Sequence, residues 1–96
     1  MKAFTVGFCV IELYMPQCHS LKEKRQLIRR VKSKVQNKFD VVIAEVGEQN
    51  RWKNAVLGVT TLSSDQRVVN SVLDQVLGLV MAFSEAEVTH HYLELI

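Results

Sequence analysis

Ninety-six residues, 48% of them hydrophobic and only one a proline, suit a single domain over residues 1–96 with one core, and they argue against an intrinsically disordered chain. No apolar run approaches the ~20 residues a membrane-spanning helix needs, and two cysteines, Cys9 and Cys18, make no disulfide framework and suit a reducing compartment. The net charge of +2 hides an uneven distribution: eight of the twelve basic residues fall between Ser20 and Phe39 with the single acid Glu23, so the rest of the chain is net acidic.

The first fourteen residues, MKAFTVGFCVIELY, place Lys2 before an apolar run in the manner of a secretion signal. Glu12 and the lack of a small-residue cleavage site argue against that. Alternation explains the apolarity better, predicting a strand over 3–14 with Phe4, Val6, Phe8 and Val10 on one face and Thr5, Gly7, Cys9, Ile11 and Leu13 on the other. With both faces apolar, a central strand is expected. Phe4 and Phe8 are expected in the core, and Ile11, Leu13 and Leu93 on a sheet face left open for a partner.

Tyr14 to His19 reads as a loop broken by Pro16. Ser20 and Glu23 then form an S-x-x-E capping box that starts a helix. Leu27, Ile28, Val31, Val35 and Phe39 fall within an arc of roughly 120° at ~100° per residue. On the other side Lys22, Arg25, Arg29, Lys32 and Gln36 follow at steps of three and four, with Arg30 and Lys34 alongside. This is a basic ridge about 15 Å long from Lys22 to Lys32 at ~1.5 Å per residue. Like charges at that spacing oppose a helix by ~0.2–0.5 kcal/mol per pair, so a sequence selected for helix stability alone would interleave acids.

After Asp40, a strand begins at Val41, the turn falls over 47–54 with Gln49, Asn50 and Arg51 at its tip, and a third strand spans 55–63 to complete a hairpin. Trp52 lies near the tip between Arg51 and Lys53. Packing against the domain is the expected fate of its ring, with an exposed stacking platform as the alternative. Ser63 with Gln66, or Ser64 or Asp65, starts a second helix. Its apolar face carries Val68, Val69, Val72, Leu73, Val76 and Val80, and its outer face is almost neutral. The last strand spans 87–95, with Val88, His90 and Tyr92 on one face and Thr89, His91, Leu93 and Leu95 on the other.

The order β-α-β-β-α-β with right-handed crossovers puts both helices on one face of a four-stranded antiparallel sheet, an α+β ferredoxin-like sandwich. His19-Ser-Leu-Lys-Glu-Lys-Arg25, Val42-Ile-Ala-Glu-Val46, Gln49-x-x-Trp52-x-x-Ala55, Leu57-Gly58-Val59 and Ser63-Ser64-Asp65 together resemble the small bacterial YlxP-like family, also called DUF503. The resemblance runs across nearly the whole chain and implies a ferredoxin-like fold with no established activity. Because genes of that family often sit beside those for translation initiation and ribosome-binding factors, it also implies a cytoplasmic role near RNA or the ribosome.

Chemistry-bearing constellations are sparse. Met15, Cys18 and His19 share a loop but form no C-x-x-C pair, and His90 and His91 point to opposite faces, so no metal is expected. An acylphosphatase-like phosphate cradle would need glycine and arginine in the first loop, and YMPQCHS has neither. No nucleophile, base and orienter are legible, so neither an enzyme nor a cofactor is expected. Stacking of RNA bases on a sheet would use aromatics of the first and third strands, and the third has none. The expected function is therefore non-enzymatic, cytosolic binding of structured RNA or the ribosome by phosphate contacts. The candidate residues are Lys22, Arg25, Arg29, Arg30, Lys32 and Lys34, extended by Arg51, Trp52 and Lys53. The alternative is a protein-interaction or homodimerisation module using the open sheet face.

Overall fold

The computed structural model describes residues 3–96; Met1 and Lys2, with the charge weighed above at Lys2, lie outside them. The chain folds as β1 (Thr5–Tyr14), α1 (Leu21–Lys38), β2 (Val42–Gly47), β3 (Asn54–Ser63), α2 (Gln66–Met81) and β4 (Glu87–Leu95). The sheet order is β2-β3-β1-β4 with every neighbouring pair antiparallel. This is the expected ferredoxin-like arrangement, with β1 central. Helix α2 packs over β1, β3 and β4, and α1 lies on the β2 side.

Both helices start at side-chain caps. Ser20 Oγ accepts from the Glu23 N–H at 3.1 Å, and the Glu23 carboxylate accepts from the His19 N–H at 2.7 Å, one residue further back than a standard capping box. Asp65 caps α2 by accepting from the Arg67 N–H at 2.9 Å, and Ser63 Oγ accepts from the Asp65 N–H.

The core lies between the helices and one sheet face. Cys9, Ile11 and Leu13 of β1 meet Leu57 and Val59 of β3, Val31 and Val35 of α1, and Val69, Leu73, Val76 and Val80 of α2. Burial pushes the Cys9 thiol up, with a smaller contribution from the Asp74 charge. Ile11 and Leu13 are therefore fully covered, contrary to the expectation that they face outward. The open face carries the other parity: Phe8 pairs with Thr60, Val10 with Gly58 and with Tyr92, and Tyr14 with Asn54. Phe4 is 49% exposed and Phe8 is half-buried, so neither is a core residue. Gly7 explains the choice. A Cβ there would sit 2.5 Å from Val69 Cγ1 and 3.0 Å from Leu73 Cδ1, so α2 approaches β1 closely only because that position has no side chain.

Two further placements differ from the sequence pattern. Leu13 pairs with Val88 and Glu12 with His90, so Thr89 is an extra residue that bulges β4. Val88 thereby joins Leu93 and Leu95 on the helix side, away from His90 and Tyr92. Val68, placed on the apolar face of α2 by its spacing, is exposed in the first turn of the helix.

Candidate nucleic-acid interface

Helix α1 owes its position to an apolar stripe and to one lysine. Leu27, Ile28, Val31 and Val35 are buried, and Lys24 is buried with them at 1% exposure. The Lys24 ammonium donates to the Glu48 carbonyl at 2.6 Å and the Arg51 carbonyl at 2.8 Å. Glu45 Oε2 lies 2.7 Å from the same nitrogen, a close ionic contact made without hydrogen-bond angles. An ammonium removed from water needs this company: two directed acceptors and an opposite charge offset a desolvation cost that would otherwise be several kcal/mol. The contacts hold the β2–β3 turn, where Glu48 adopts the left-handed φ of 61° and its carbonyl also accepts from the Arg51 N–H.

Lysine 53 performs the companion task. Its ammonium donates to the Pro16 and Cys18 carbonyls, while its own carbonyl accepts from the Met15 N–H at 2.7 Å. The hairpin is thus tied to the first turns of α1 and to the β1–α1 loop by two lysines. In that loop burial pushes the Cys18 thiol up, and the Glu23 charge adds to the shift. Between the tethers Trp52 is 52% exposed, against the expectation that it packs on the domain.

The remaining cations of α1 face outward. Lys22, Arg25, Arg29, Arg30, Lys34 and Lys38 are exposed and Lys32 is half-buried. Arg30 forms an exposed ion pair with Glu85 at 2.9 Å, and this guanidinium holds the Glu85 carboxyl below its usual range. Lys34 lies 5.6 Å from the centre of the Phe83 ring and Lys38 5.8 Å from that of Phe39. Among the described residues Lys22, Arg25, Arg29, Lys32, Lys34 and Lys38 form no ion pair with a carboxylate. Gln26, Arg29, Arg30, Ser33, Lys34 and Asn37 line a shallow depression along the outer side of the helix. At the hairpin, Arg51 makes a 3.3 Å exposed pair with Glu48.

Of the nine residues singled out from the sequence, the structure gathers Lys22, Arg25, Arg29, Arg30, Lys32 and Lys34 on one helix surface. Arg51 and Trp52 sit at the hairpin tip beside its N-terminal end. Lys53 is set apart by its two carbonyl partners. Lys24, not singled out, is the residue that fixes the tip's position. Its spacing signalled this, since Ile28, Val31 and Val35 follow it at four, seven and eleven residues, which continues the buried stripe.

The family model described as "Protein of unknown function (DUF503)" matches residues 6–92. The chain belongs to the DUF503 family. Its similarity to the "Uncharacterized protein YlxP" of Bacillus subtilis (strain 168) is 37% identity over 84 residues, covering 88% of this chain and 91% of that protein. Among solved structures the "De novo designed protein Foldit4" superposes with a TM-score of 0.57 over 96% of both chains at 11% identity. That likeness bears on the fold alone. The DUF503 match runs from Val6 in β1 to Tyr92 in β4 and so takes in α1, the Lys24 tether and the Trp52 tip together. No helix among the described residues is long and apolar enough to cross a membrane.

Proposed function

We propose that this DUF503 protein is a non-enzymatic, cytosolic accessory protein that binds structured RNA, with the ribosome as a candidate setting, through the exposed basic face of α1. The observation that carries this reading is the set of exposed cations on one helix surface without carboxylate partners among the described residues, headed by Lys22, Arg25 and Arg29. Cations arranged this way gain affinity for a polyanion by releasing its condensed counterions, and they read backbone position and shape rather than sequence. The ion-paired Arg30 flanks this surface, and Lys34, which lines the shallow depression, also stands over the Phe83 ring.

Binding of a labelled structured RNA followed by anisotropy across a salt series tests the proposal. Wild type should bind with steep salt dependence, and a variant carrying Arg25→Glu, Arg29→Glu and Lys32→Glu should lose about a hundredfold or more in affinity while keeping its fold. Equal, salt-insensitive binding by the two proteins would refute it.

A second reading, homodimerisation through the open sheet face, is favoured by a specific feature. Tyr14, Val42, Val46, Leu62 and Tyr92 are exposed large apolar residues of that sheet, and Tyr92 packs edge-on against Phe8 at 6.3 Å. Sedimentation of wild type against Tyr92→Asp separates the readings: a concentration-dependent dimer that the variant abolishes supports this one.

A further inference from the structure

The hairpin tip is built in a way that phosphate binding alone does not require. A buried ammonium at Lys24 and a second tether at Lys53 fix the backbone on both sides of Trp52, yet the indole they position is 52% exposed. A large aromatic held on a rigid turn loses little conformational freedom on binding, which is what a recognition anchor needs. Arg51 precedes Trp52 with an exposed side chain paired to Glu48 at 3.3 Å, and the Lys24 contacts seat the tip against the first turn of α1, where Lys22 and Arg25 begin the basic surface.

We infer that Trp52 stacks on an unpaired nucleobase of an RNA whose backbone lies along α1. The site would then select structured RNA carrying a bulged, looped or terminal unpaired nucleotide over a fully paired duplex. This rests on the proposed RNA-binding function and adds a specificity to it. Within a duplex the bases are stacked on one another and offer only their edges along the backbone path, so an aromatic ring beside that path gains a π-face partner only where a base is unpaired and splayed out. The cations of α1 meet phosphates, which both RNAs present, and such contacts do not register whether a base is paired. Discrimination by base pairing is assigned to the exposed Trp52 ring at the hairpin tip.

The chain has a single tryptophan and two tyrosines, so fluorescence excited at the red edge, where tyrosine does not absorb, reports on this position alone. The probes are a stem-loop RNA with an unpaired loop and a blunt duplex with the same number of phosphates, each also labelled for anisotropy. The stem-loop should quench the tryptophan, bind more tightly than the duplex, and lose about tenfold in affinity with Trp52→Ala, while Trp52→Phe retains most of it. The duplex should bind without quenching and with equal affinity for all three proteins. Stem-loop binding without quenching and unaffected by Trp52→Ala would overturn the stacking inference and leave the basic face of α1 standing. Failure of wild type to bind either RNA would remove both.

Discussion

The two helices cover the same side of one sheet, and their outer faces could hardly differ more. On α2, Asn70, Ser71 and Gln75 are neutral and exposed, and Arg67 is folded back on the capping Asp65, whose carboxyl it holds below the usual range. On α1, six cations stand without a carboxylate among the described residues. Both helices nevertheless have a side-chain N-cap and a stripe of buried aliphatic residues. A helix covering this sheet therefore needs a cap and an apolar stripe. Charge is not part of the requirement, and α1 bears a run of like charges that costs it helix stability.

One lysine of α1 belongs to the fold instead, and replacing it is expected to have the largest effect on stability. Lys24→Met leaves the Glu45 carboxylate without its counter-charge and the Glu48 and Arg51 carbonyls without their donor. The expected loss is about 3–5 kcal/mol, which lowers the melting temperature by roughly 12 °C or more in a domain of this size. A calorimetric shift of under two degrees would place Lys24 with the surface cations and erase the distinction.

The outward cations should behave oppositely. Arg29→Gln removes like-charge neighbours at Arg25 and Lys32, each pair worth ~0.2–0.5 kcal/mol against the helix. Chemical denaturation should show unchanged or slightly raised stability. A clear destabilisation would mean that the basic face supports the fold.

The smallest effect concerns acid. Glu85 and Asp65 have carboxyls depressed by Arg30 and Arg67, so each pair contributes above the unfolded carboxyl pKa of about 4 and is lost as pH falls through the lower folded value. Melting temperatures should therefore be insensitive to these pairs from pH 6 to 8 and decline below about pH 4. Glu85→Gln should flatten part of that decline; an unchanged acid limb would show that the Arg30 contact carries no linkage.

Element order and boundaries were legible because each helix advertises a polar cap before an aliphatic stripe and each strand alternates. The facing of β1 was not, since both of its faces are apolar. The deciding residue is Gly7, whose missing side chain admits α2, and a glycine gives no signal in a hydrophobicity pattern. Thr89 hid the facing of Val88 in the same way, because a bulge shifts parity without altering composition. In the candidate site, the ridge from Lys22 to Lys32, with Arg30 and Lys34 alongside, followed directly from helical spacing. Counting charges could not separate Lys24 and Lys53, which satisfy carbonyls, from lysines that meet solvent. The exposure of Trp52 followed from those same tethers, which depend on contacts between residues 24 to 37 positions apart.

The central claim is that α1, and not α2, carries cations intended for a polyanion. Its most direct test is the slope of log Kobs against log salt for one structured RNA with single neutralised variants on each helix. Lys22→Gln, Arg25→Gln and Arg29→Gln should each reduce the slope by close to one contact's worth, about 0.7–0.9, while Arg67→Gln on α2 leaves it unchanged. Equal slopes for all four variants and wild type would contradict the claim.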